Sequence, residues 1–142
     1  MKLFFDSNIF LRYLVPENPK SYENCTKLIE LAESGEITPY ISNVVVQEII
    51  YILQKMYKFN KKRIFNWLAQ LIHLRNLVII EKTNTRSAIN RFKTLNIKFG
   101  DCLIATQIPK GVTLCTYDTE FQKIPGLLTA TPETILKQFQ HN

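Results

Sequence analysis

The residue pattern points to an α/β domain built on a parallel sheet, for three reasons. Five short apolar segments read as strands. Stretches of helical periodicity separate most of them, and such alternation favours parallel pairing through helical crossovers. The chain has 142 residues, 46% of them hydrophobic, which is enough for one core and too little for two ordinary ones. Residues 1–142 are therefore expected to form a single domain.

The strands are expected at 2–5, 38–41, 77–80, 113–116 and, with the weakest pattern, 127–130. Asp6 can cap a helix containing Leu11 and Leu14. The segment 21–32 turns Leu28, Ile29 and Ala32 inward and stops at Gly35. Ser42 or Asn43 can cap a helix over 43–57. Asn60 can cap another over 61–74, whose apolar stripe reads Ile64, Phe65, Leu68, Leu71 and Ile72. The segment 85–95 places Ala88, Ile89, Phe92 and Leu95 on one stripe. A short helix over 101–108 ends before Pro109, and 119–123 forms a turn. The last helix opens at Thr131-Pro132-Glu133, a cap followed by proline at the first helical position.

Several function classes are disfavoured. No stretch approaches the roughly 20 apolar residues of a membrane span. Residues 1–14 place Lys2 before an apolar run, but Asp6, Asn8 and Arg12 interrupt it and no small-residue cleavage site follows. The segment reads as a buried strand entering a helix, and a cytoplasmic protein is expected. Cys25, Cys102 and Cys115 form no CxxC pair and sit in apolar contexts, so burial as small hydrophobes is expected. His73 and His141 have no ligand spacing, which disfavours a histidine zinc site.

The acidic residues carry the chemistry. The chain has only 12 of them, and four stand in apolar runs, where an ionised carboxylate is costly unless paired or metal-bound. Asp6 follows the first strand and Asp118 the fourth. Glu48 lies early in the helix after the second strand, and Asp101 opens the helix leading to the fourth. Strand ends and the starts of crossover helices share one edge of a parallel sheet, where ligands of open α/β sheets bind. Each residue alone has a plainer role as a cap, a dipole partner or a rim residue. All four at one edge point to a cluster of carboxylates that a divalent cation would relieve of like-charge repulsion. An all-oxygen donor set suits Mg²⁺ or Mn²⁺ better than zinc.

The net charge of +6 favours polyanionic partners. The cations fall in two groups: Lys55, Lys58, Lys61, Lys62 and Arg63, and Arg86, Arg91, Lys93 and Lys98. Each group is either a solvated helix face or a rim for phosphates. Tyr13, Tyr51, Tyr57, Phe59 and Trp67 can stack bases, but aromatics at helical spacing are more often core.

Four stretches in order resemble the PIN-domain family, and within it the VapC-type toxin ribonucleases of toxin–antitoxin pairs. They are Phe5-Asp6-Ser7-Asn8-Ile9-Phe10-Leu11, Val46-Gln47-Glu48-Ile49, Lys98-Phe99-Gly100-Asp101-Cys102-Leu103-Ile104-Ala105 and Thr116-Tyr117-Asp118-Thr119-Glu120-Phe121. The resemblance implies a three-layer α/β/α fold with a five-stranded parallel sheet in the order 3-2-1-4-5. It also implies Mg²⁺- or Mn²⁺-dependent hydrolysis of structured RNA such as tRNA or rRNA, a small antitoxin as partner, and a homodimer. Asp6, Glu48, Asp101 and Asp118 match the family's acidic set. Glu120 stands where a further acidic residue, usually Asp, is common. Asn8 and Thr116 match polar positions that orient the carboxylates, or else serve simple turn chemistry. Two departures are a short 105–111 segment ending at Pro109-Lys110-Gly111 and Cys102 in place of a common alanine.

Other readings remain open at this point. An aspartyl-phosphate phosphatase also begins with a strand ending in Asp, but it needs a second Asp where Asn8 stands. A non-catalytic RNA-binding or partner-docking scaffold predicts RNA binding without cleavage. A DNA-directed nuclease is a third, since no residue pattern here reads a 2′-hydroxyl.

Overall fold

A computed structural model of the chain describes residues 1–141. Five strands form one sheet in the order β3-β2-β1-β4-β5, and every neighbouring pair is parallel. The strands are β1 (Lys2–Phe5), β2 (Thr38–Ser42), β3 (Val78–Ile80), β4 (Thr113–Cys115) and β5 (Thr129–Ala130). The helices are α1 (Ser7–Leu14), α2 (Pro19–Ser34), α3 (Asn43–Lys55), α4 (Lys61–Ile72), α5 (Thr85–Thr94), α6 (Phe99–Gln107) and α7 (Pro132–Gln140), with a 3₁₀ turn at Thr119–Lys123. This is the expected three-layer α/β/α arrangement, with β1 at its centre.

Burial explains why β1 is central. Leu3, Phe4 and Phe5 are fully buried, as only a strand covered on both faces allows. Phe5 meets Phe10 of α1 edge-on at 5.7 Å, and Phe10 meets Trp67 of α4 at 6.0 Å. This aromatic chain ties the sheet to two helices. Cys25, Cys102 and Cys115 are buried free thiols, as their apolar contexts predict.

Polar residues set the helix starts. Side-chain oxygens of Asp6, Asn18, Ser42, Asn60, Asn84 and Thr131 each accept a backbone N–H in the first turn of the helix that follows. Gly35 ends α2 at φ 87°, a left-handed position that favours glycine. α6 begins at Phe99, two residues before the expected start, so Asp101 falls inside its first turn.

Two apolar stripes are corrected. On α4 the buried face is Ile64, Trp67 and Leu71, while Phe65 is 67% and Ile72 61% exposed. Trp67 seats on Phe10, and this turns the helix so that Phe65 and Ile72 leave the core. On α5 only Ala88 is buried, and Ile89 and Phe92 are exposed. Among the five aromatics weighed between base stacking and core, Tyr51 is exposed and Trp67 is buried.

Candidate active site

Asp6 extends β1 by one residue. Its N–H donates to Cys115 O at 3.1 Å, prolonging the β1–β4 ladder. Its side chain then caps α1, with Oδ1 accepting Ser7 N–H at 2.8 Å. The other oxygen, Oδ2, accepts the Thr116 hydroxyl at 2.6 Å and Asn8 Nδ2 at 3.1 Å. The Thr116 hydroxyl has one proton and two lone pairs, and all are used. It donates to Asp6 and accepts from Asn8 Nδ2 at 3.1 Å and from Asp118 N–H at 2.9 Å. Asn8 Oδ1 in turn accepts Tyr117 N–H at 3.3 Å. One threonine thus joins the ends of β1 and β4 and sets the spacing of Asp6 and Asp118.

Asp118 caps the 3₁₀ turn, its Oδ1 accepting Glu120 N–H at 2.9 Å. Asp101 comes from a separate element, the first turn of α6. It is only 5% exposed, and its Oδ2 has no hydrogen-bond partner. Glu48 is half-buried on α3. Burial pushes the Asp6 carboxyl up to about 6, and the charges of Glu48 and Asp118 push the same way against the Thr116 and Ser7 hydrogen bonds. Burial likewise raises Asp101 to about 7. Lys98 opposes that rise, while Asp6, Asp118 and Glu48 add to it. Four carboxylates from four separate segments therefore occupy one electrostatic neighbourhood.

The side chains do not close into a coordination group as they stand. Among the described residues, no three Asp, Glu, His or Cys side chains are arranged to hold a metal ion. Glu120 is turned elsewhere: its carboxylate pairs with Lys123 Nζ at 2.6 Å, and Lys123 also donates to Asn96 O at 3.3 Å.

Comparison with curated proteins finds no match. The family model described as PIN domain matches residues 3–127. The chain belongs to the PIN domain family. Among solved structures, this PIN domain is similar to the crystal structure of VapBC2 from Rickettsia felis bound to a DNA fragment from their promoter. The TM-score is 0.65 at 24% identity, over 92% of this chain and 98% of that chain, a likeness of fold.

The donor chemistry of this PIN domain fits a hard divalent cation. The donors are all carboxylate oxygens, and the unpartnered Asp101 Oδ2 is a buried acceptor with nothing to accept. Sequence reading missed the support that joins α6 to α3. Gln107, at the end of α6 and 3% exposed, donates to Asn43 Oδ1 at 2.8 Å, and Asn43 donates to Glu81 O at 3.1 Å. The first bond ties the helix of Asp101 to the helix of Glu48, and the second ties that helix to the end of β3. A buried glutamine carries no local pattern, so its role shows only once the helices are packed. Among the described residues, no helix is long and apolar enough to cross a membrane.

Proposed function

We propose that this PIN domain is a Mg²⁺- or Mn²⁺-dependent endoribonuclease, the toxin of a toxin–antitoxin pair, cutting structured RNA such as tRNA or rRNA. The observation that carries the reading is the convergence of Asp6, Glu48, Asp101 and Asp118, two of them with raised proton affinity, at the carboxyl edge of the sheet. Such a cluster binds a divalent cation more readily than it holds four negative charges. Asp6, Asp101 and Asp118 would be the main ligands, with Glu48 completing the site. Glu120 would join only by releasing Lys123.

When bound, the cation supplies Lewis acidity and lowers the pKa of a water. The chain's residues do the rest. Thr116 and Asn8 hold Asp6 in one orientation. Half-buried Glu48 can take a proton from the attacking water. The net charge of +6 draws RNA to an otherwise acidic cleft.

The neighbour from Rickettsia felis is named as VapBC2 in contact with its promoter DNA, which supports a small antitoxin as partner here. A homodimer is part of the same reading. Phe92 and Phe99, in edge contact at 5.6 Å, expose apolar surface together with Ile89. A cytoplasmic location follows from the same assignment.

Purified wild type and Asp6→Asn, each given total tRNA and rRNA with Mg²⁺ or with chelator, test the proposal. Cleavage should need both the metal and Asp6; undiminished cleavage by the variant would end it. A second reading is a non-catalytic RNA-binding or partner-docking scaffold. The five exposed cations Lys55, Lys58, Lys61, Lys62 and Arg63, which no carboxylate pairs among the described residues, would serve RNA binding without any cleavage. It predicts RNA binding with no cleavage under any divalent metal.

A further inference from the structure

We infer that one face of α3 and the α3–α4 turn form a track for the RNA strand that flanks the cut phosphate, with Tyr51 stacking a base and the cations of the turn holding phosphates. The inference rests on the ribonuclease reading and adds a substrate path to it.

The track starts at the site. Glu48, Tyr51 and Lys55 are three and seven residues apart on α3, so they share a face of the helix. Glu48 lies on the helix that Asn43 bonds to the helix of Asp101 at 2.8 Å, and its charge acts on both Asp6 and Asp101. Lys55 lies about 10 Å further along the axis at 1.5 Å per residue. A stacked strand carries one charge per about 3.4 Å, so this run spans about three nucleotides. Tyr51, between the two, is 62% exposed on a helix whose inner face holds Val45, Ile49 and Leu53. Nothing in the core needs its ring, and exposed aromatics suit base stacking.

Beyond Lys55 the charge becomes dense. Lys55, Lys58, Lys61, Lys62 and Arg63 are all exposed. Among the described residues the ion pairs are Lys27–Glu23 and Lys123–Glu120, so none of these five cations has a carboxylate partner. The first turn of α4 contains no acidic residue, although three cations sit there against the helix dipole. The Arg63 guanidinium lies 3.7 Å over the Phe59 ring, which fixes its position without neutralising it. The turn is braced as well: Tyr57 donates to Glu17 at 3.2 Å, and Asn60 caps α4 through Arg63 N–H at 2.8 Å. A rigid, unpaired cationic patch costs stability and complements a phosphate backbone.

The test uses the full-length protein and a fluorescein-labelled RNA stem-loop. Affinity is measured against salt in an Asp6→Asn background, and cleavage in the otherwise native protein. Lys61→Gln/Lys62→Gln/Arg63→Gln should reduce the slope of log affinity against log salt by about 2, at about 0.7 per lost contact on a single strand. KM should rise about tenfold or more while kcat at saturating RNA is retained. Tyr51→Ala should weaken binding with an unchanged salt slope, the mark of stacking over charge. Lys2→Gln/Lys137→Gln, away from α3, should change neither. Equal KM and equal salt slope in the triple variant would overturn the track while leaving the ribonuclease standing. So would a triple variant that keeps RNA affinity but loses binding to a partner protein. A wild type that neither binds nor cleaves RNA would overturn both.

Discussion

Thr116 Oγ1 donates a 2.6 Å hydrogen bond to Asp6 Oδ2 across 110 positions of chain. The same oxygen accepts Asp118 N–H, so one hydroxyl sets two carboxylates. Thr116→Val keeps the shape and removes these two bonds together with the one from Asn8 Nδ2. The expected result is a 10–100-fold loss of metal affinity or cleavage, measured by Mn²⁺ titration and initial rates. The buried Asp6 oxygen and Asp118 N–H left without that partner should lower stability by about 1–3 kcal/mol in thermal melts. Thr116→Ser retains the hydroxyl and should stay near wild type.

Asp101 should show opposite effects on stability and activity. Its carboxyl is raised from 3.8 to about 7, chiefly by burial, so the folded state holds the proton more tightly than the unfolded state. That contribution to stability is complete below about pH 4 and is lost as pH rises through about 7. Asp6, raised to about 6, acts in the same direction. With chelator present, Asp101→Asn should therefore be more stable than wild type at pH 8 and no more stable near pH 4, read by urea unfolding at the two pH values. The same variant should lose cleavage. A uniform loss of stability at both pH values would contradict this account.

Metal binding should follow the reverse pH trend. A cation competes with the proton for Asp6 and Asp101, so affinity should climb as pH rises through about 6 to 7. Calorimetric Mg²⁺ titrations across that range check it, and a flat profile would place the ion elsewhere.

Glu120 and Asp118 should separate in mutagenesis. Asp118 is bonded to the strand-end network, whereas Glu120 pairs with Lys123 at the surface. Asp118→Asn should cut cleavage at least about 100-fold and Glu120→Gln less than about 10-fold. The half-exposed Lys123 pair should contribute under about 1 kcal/mol, so Glu120→Gln should melt near wild type.

Phe10 bridges Phe5 and Trp67 and is 1% exposed. Phe10→Ala should cost about 3–5 kcal/mol in denaturant unfolding, because the cavity opens between the sheet and two helices.

Features that depend on neighbours along the chain could be read before folding. Strand-helix alternation, the Asn60 and Ser42 caps, and the placement of Asp6 and Asp118 at strand ends are local patterns, and they appear where they were read. The positions of the four core carboxylates were legible for the same reason: a parallel sheet assigns strand ends and helix starts to one edge. Packing settled which stripe of α4 is buried, because Trp67 against Phe10 outweighed a periodicity that pointed to Phe65 and Ile72. The same packing joins Gln107 of α6 to α3 and lets the Thr116 hydroxyl serve both Asp6 and Asp118. Periodicity is set within a few residues, whereas Thr116 meets Asp6 and Gln107 meets Asn43 across 110 and 64 positions, through packing that no local pattern encodes.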